Sequence, residues 1–117
     1  MRKSDKKKDN EIRLALTDVC NNALENISGF QWLTHVVNYD NFPSSLKVIC
    51  VFDSQASLAR CISQDKTNYI CNLVSSKLSE IGINVKHLNK QITFDSEEQC
   101  QKQDGGRWNH RLNSLPS

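Results

Sequence analysis

Ser45-Leu46-Lys47-Val48-Ile49-Cys50-Val51-Phe52-Asp53-Ser54 decides how this chain folds. It is the longest apolar run, it is rich in β-branched residues, and Pro43 precedes it while a cap-like Asp-Ser follows, the pattern of a central strand. Leu46, Val48, Cys50 and Phe52 share one face because successive strand side chains alternate. That face is expected against helices. Ile49 and Val51 take the other face, between Lys47 and Asp53, and with Trp32 and Val36 of a neighbouring strand they would form an apolar patch if nothing covered them. Open patches of that kind mark interfaces. Trp32, Val36, Ile49 and Val51 are therefore the candidate interface, for a homodimer or another protein; the competing expectation is that the C-terminal segment covers them.

Working outward, Phe30 to Tyr39 reads as a strand with both faces partly covered, and Asn38 to Ser45 supplies turn chemistry that makes a β-hairpin with the central strand. His35 lies in that strand with no partner nearby in sequence, so it reads as a structural histidine. Upstream, Asp9 or Asn10 caps a helix of about sixteen residues whose apolar stripe is Ile12, Leu16, Val19, Cys20, Ala23 and Ile27, stopped at Ser28-Gly29. Downstream, Asp53-Ser54 is either a carboxylate at a strand end, where many α/β enzymes hold a metal or a base, or the cap of a helix over Gln55–Ile62. The cap is the commoner use of such a pair, and no second carboxylate is marked as its catalytic companion. Leu58, Ala59 and Ile62 are expected to face inward on that helix. Asp65 or Thr67 opens the next helix, with the stripe Ile70, Leu73, Val74, Leu78 and Ile81 ending at Gly82. Ile83 to Phe94 reads as a last strand with a bulge or bend where its apolar parity changes. From Asp95 onward a capping-box spacing predicts a short helix through Lys102, then Gly105-Gly106 and a tail.

The expected fold is thus α+β: an N-terminal helix, a β-hairpin, two helices and further strand(s), with all helices mainly on one face of a small, mostly antiparallel sheet. Residues 1–8 read as a basic flexible arm, 9–94 as a single α+β domain, and 95–117 as a short helix with a C-terminal tail.

Composition narrows the function. The chain has 117 residues and ordinary globular proportions, enough for one core that hides roughly two-thirds of the unfolded surface. No apolar stretch is long enough for a bilayer and the N-terminus lacks the apolar segment of a secretory signal, which predicts a cytoplasmic protein without membrane association. The five cysteines, Cys20, Cys50, Cys61, Cys71 and Cys100, are odd in number, widely spaced and form no C-x-x-C pair, so reduced thiols are expected, with Cys20, Cys50 and Cys71 placed in apolar patterns.

Net charge is +2, yet Arg2, Lys3, Lys6, Lys7 and Lys8 against Asp5 put +4 in the first eight residues and leave −2 for the rest. Lysines on such an arm attract phosphates, as would Lys86 and Lys90 around His87 in the last strand, and Arg107, Trp108 and Arg111 in the tail, where cations interleave with an aromatic that can stack a base. Each set also has a plain structural use: a solvated terminus, a charged edge strand, and a tail docked through Trp108 and Leu112. There is no P-loop, G-x-G-x-x-G, G-x-S-x-G or H-E-x-x-H, and Glu97, Glu98, Cys100 and His110 match no metal-ligand spacing. No catalytic, cofactor or metal residue is therefore assigned.

The opening Met1-Arg2-Lys3-Ser4-Asp5-Lys6-Lys7-Lys8 with Ile12 to Cys20, and the later Gly29-Phe30-Gln31-Trp32-Leu33-Thr34-His35 and Asn41-Phe42-Pro43, resemble a group of small uncharacterised bacterial proteins. Some members of that group carry a label likening them to Fis-type transcriptional regulators. The resemblance covers most of the chain and implies no particular activity or site residue. A Fis-type regulator ends in a helix-turn-helix, whereas this C-terminus reads as strand, acidic turn, Gly-Gly and tail. Two function classes follow: a small non-enzymatic binding or regulatory protein that meets a partner, or a second copy of itself, through the sheet; and a nucleic-acid-binding module using the Lys-rich arm, Lys86, Lys90 and the Arg107–Arg111 tail.

Overall fold

In a computed structural model that describes residues 2–114, both faces of the central strand are covered, and this arranges everything else. The strand, β2 (Lys47–Phe52), pairs antiparallel with β1 (Phe30–Val36) and parallel with β3 (Ile92–Ser96), giving the order β1-β2-β3. Its Val48, Cys50 and Phe52 join one core cluster with Leu46 just before it. The helices α1 (Lys3–Asn26), α2 (Gln55–Ser63) and α3 (Lys66–Glu80) supply the other side of that core through Ile12, Leu16, Val19 and Ala23, through Leu58 and Cys61, and through Ile70, Val74 and Leu78. The stripes of α1 and α3 are those their periodicity predicts. An α+β fold that begins with a helix and a hairpin is therefore what the chain adopts, although its sheet is mixed: the crossover through α2 and α3 returns β3 parallel to β2.

Several elements depart from expectation, each for a local reason. α1 begins at Lys3, so residues 3–8 form two helical turns rather than an arm; Arg2 meets Asp5 at 3.0 Å and lies 3.8 Å from Asp40, and Lys8 lies 3.9 Å from Glu11. Asp9 is then mid-helix and cannot be its cap. β1 ends at Val36, and Tyr39–Asn41 forms a 3-10 turn in which the Asp40 amide donates to the Asn38 side chain. On α2 the inward residues are Ser57, Leu58 and Cys61, while Ala59 and Ile62 are exposed. Ser57 sets that rotation by packing against Gly29.

The segment from Ile83 is not one strand. Ile83 is buried after Gly82, a loop follows, and α4 (Leu88–Gln91) precedes β3. Gln91 explains the interruption: its buried side chain donates to Pro43 O and Leu46 O, both at 3.0 Å, and accepts from His87 N. Those carbonyls belong to the loop entering β2, so Gln91 anchors the start of β3 beside the start of β2. The next helix, α5 (Glu97–Asp104), is capped by Ser96 rather than by Asp95, with Ser96 Oγ accepting from Gln99 N at 3.0 Å, and it ends on Gly105 in the left-handed region. What reads as a tail is a further helix, α6 (Trp108–Asn113). Among the described residues no helix is long and apolar enough to cross a membrane.

Gly29 shows how tightly α2 meets the hairpin. Its φ of +86° suits glycine, and an added Cβ would collide with Ser57 Cβ and Oγ. Gly82 has a similar φ of +81° with open space around it. Gly29→Ala is expected to destabilise by about 3 kcal/mol, strain plus collision, and Gly82→Ala by about 1 kcal/mol from strain alone. Urea unfolding of the two variants checks the ordering.

Candidate functional site

Three surfaces contain the candidate residues, and the first is the sheet face opposite the main core. Register places Trp32 beside Val51 and Val51 beside Asp95, so these three side chains share that face. Ile49 is 2% exposed and Val51 fully buried. Trp108 packs edge-on against Trp32 at 4.8 Å between ring centroids, and both indoles donate to one carboxylate, Trp32 Nε1 to Glu97 Oε1 at 2.6 Å and Trp108 Nε1 to Glu97 Oε2 at 3.0 Å. Arg111 reaches down to Asp95 with a two-pronged contact of 2.6 and 2.9 Å, and its third nitrogen meets Asp104 at 2.8 Å and Gln103 at 2.8 Å. The patch expected at Trp32, Val36, Ile49 and Val51 is therefore not open. Ile49 and Val51 are sealed, Trp32 is engaged by α6, and Val36 is half-buried at the end of β1.

This clamp also uses up two residues expected to meet nucleic acid. Trp108 and Arg111 are turned onto their own sheet, and the exposed Arg107 donates its Nε to Asp104 O at 3.1 Å. The carboxylates hold the Arg111 guanidinium charged, its pKa pushed up chiefly by the Asp95 bond. Arg111 and His110 in turn hold Asp104 below the ordinary carboxylate range.

The second surface is the end of the molecule where β2 and β3 begin. Lys3, Lys6 and Lys7 are exposed on the first turns of α1, Lys86 on the loop after α3, and Lys90 on α4; Lys8 is half-buried. Lys3, Lys6, Lys7, Lys86 and Lys90 make no ion pair among the described residues. The loop between β1 and β2 ties the two groups to one end: Tyr39 donates to Asp9 on α1, Asp40 approaches Arg2, and Pro43 accepts from Gln91 on α4. At the opposite end Asp53, Glu97 and Glu98 gather where β2 and β3 finish. There Ser54 caps α2, its Oγ accepting from Ser57 N at 3.1 Å, and Glu98 accepts from Gln55 N at 2.9 Å. Asp53 is held below its ordinary range by the Ser57 hydroxyl. The Asp53-Ser54 pair is thus a helix start.

The third surface was not legible as a site. β1 is one of the two outer strands of the sheet, and between it and α1 runs a groove of about 270 Å³ lined by Arg13, Leu16, Thr17, Cys20 and Asn21 on the helix and by Leu33, Thr34 and His35 on the strand. At the rim, Asp9 Oδ1 takes hydrogen bonds from both His35 Nε2 (2.8 Å) and Tyr39 OH (2.9 Å). These bonds lower the Asp9 pKa, while burial and the nearby carboxylate raise that of Tyr39. His35 therefore has the partner its sequence neighbourhood lacks. The only hint in the sequence is that Phe30–Val36 carries no Lys, Asp, Glu or Pro, the residues that guard an edge.

Among the described residues no three His, Cys, Asp or Glu side chains are placed to hold a metal, and no buried side-chain polar atom lacks a partner that a ligand would have to satisfy. Cys50, Cys61 and Cys100 are buried and Cys20 and Cys71 half-buried, all as free thiols; burial pushes the thiols of Cys50, Cys61, Cys71 and Cys100 up, away from the reactive thiolate. No protein-family model, no curated protein and no solved structure matches the chain.

Replacing Arg111 by Met should free α6 and expose Ile49 and Val51, with a loss of about 2 kcal/mol for a partly exposed ion pair and a red-shifted tryptophan emission. The acid limb of stability follows the same carboxylates. Asp9 and Asp104 titrate lower in the fold than in the unfolded chain, so their contribution is complete above about pH 4 and is lost as pH falls through their folded values. Urea titrations from pH 7 to pH 2 should show that fall, and Asp104→Asn should flatten it.

Proposed function

We propose that this chain is a small non-enzymatic binding or regulatory protein that engages another polypeptide through the free edge of β1. The observation that supports this reading is an uncharged seven-residue strand at the margin of the sheet, flanked by an open groove. Unpaired strand N–H and C=O groups are a template for a further strand, and β1 carries no Lys, Asp, Glu or Pro to block that pairing; the bulge between Phe30 and Trp32 confines the regular edge to its Trp32–Val36 part. The binding action expected of the sheet thus moves from its face, which α6 covers, to its edge. A cytoplasmic setting suits five free thiols.

A second reading, nucleic-acid binding, rests on the unpaired, exposed Lys3, Lys6, Lys7, Lys86 and Lys90 at one end of the molecule. It no longer draws on Trp108 and Arg111. Phosphate contacts of that kind depend on salt, and removing three of them lowers the slope of log affinity against log salt by about 3.

Amide hydrogen exchange on the full chain, with a panel of uncharged extended heptapeptides and with mixed-sequence DNA and RNA, separates the two. The strand-edge reading expects a peptide that slows exchange within Phe30–Val36 regardless of salt. Protection only by nucleic acid, lost in high salt and in the Lys3→Gln, Lys6→Gln, Lys7→Gln triple variant, would replace it with the second reading.

A further inference from the structure

We infer that the occupant of the β1 edge is β1 of a second copy, paired antiparallel about Leu33 so that two three-stranded sheets become one of six strands. The inference rests on the strand-edge reading above and names its partner. Three observations carry it.

The first is the strand's own sequence. Regular alternation runs from Trp32 to Val36, a bulge displacing Gln31 before it, and antiparallel pairing about Leu33 sets Trp32 opposite Thr34 of the second copy on the face away from the core. No two like charges meet, and an aromatic next to a β-branched residue is a favourable cross-strand pair. The second is the distribution of charge in the groove. Arg13 is its one permanently charged lining residue, and the His35 imidazole is already bonded to Asp9. An antiparallel two-fold sends the two Arg13 side chains to opposite ends of the joint, where a parallel arrangement would set them together.

The third is the helix flank beside the edge. Arg13, Thr17, Cys20 and Leu24 recur at helical spacing along the side of α1 that borders β1, and Leu24 on that row is 49% exposed; Leu14, 70% exposed, lies off the row. A second copy laid along β1 brings its own α1 alongside, so that Thr17 near the centre faces its equivalent and Leu24 leaves water. An isolated extended peptide would leave Leu24 exposed. Two copies account for the edge and the flank together.

Light scattering on the full chain should give twice 13.3 kDa at micromolar concentration. Thr17→Lys and Thr17→Glu each place like charges together at the centre of the joint, at an exposed position outside the core. Each alone should be a folded monomer by circular dichroism, with dissociation raised at least tenfold, and an equimolar mixture should restore a mixed dimer. A wild-type chain that stays monomeric at 200 µM, or a dimer indifferent to both substitutions, overturns the inference. If the wild type is monomeric while heptapeptides still protect Phe30–Val36, the strand-edge reading stands with a different partner; if neither happens, both fall.

Discussion

A strand that is apolar on both faces has to be covered twice, and β2 imposes that requirement on the whole chain. Val48, Cys50 and Phe52 bury against α1, α2 and α3, while Ile49 and Val51 point the other way and would otherwise leave an apolar strip in water. A parallel neighbour on one side and an antiparallel one on the other hold the strand in place. The first cover comes from long amphipathic helices and is ordinary hydrophobic burial. The second is a six-residue helix, too short to hold itself.

That short helix is kept in position by polar chemistry. Glu97 accepts from two indoles, Asp95 and Asp104 grip one guanidinium, and the Trp32–Trp108 contact fills the space between. The carboxylates lie on β3 and α5, so α6 is fastened to elements that are themselves fixed. Charge-assisted, two-pronged bonds suit this task because they define an orientation as well as an energy. The consequence is direct: Trp108 and Arg111, which read as a nucleic-acid tail, are engaged by their own domain, and the sheet face beneath them is closed.

Much of the fold was legible. The stripes of α1 and α3 have clean helical spacing, β2 is an apolar run too short and too β-branched for a helix, and Gly82 ends α3 with a φ of +81°. Two departures, at Ser57 and at Gln91, share one cause, a distant partner outweighing a local signal. Ser57 turns inward because Gly29 leaves room for it. Gln91 is buried because two carbonyls of another loop need a donor, and this breaks a segment that alternates like a strand. Lys3 to Lys8 continue a helix because lysine is a good helix former and neighbouring acids offset part of its charge.

The sequence by itself determined the elements and the inward face of the longest ones, since periodicity and turn chemistry act within a few residues. It also determined the absence of the usual catalytic spacings, which are local patterns. Only the tertiary structure decided that β3 returns parallel to β2, that α6 closes the second face, that His35 meets Asp9 across 26 positions, and that β1 is an edge. Each of these depends on which elements become neighbours. That choice is made by the total surface two elements bury together, a quantity no single stretch of residues contains.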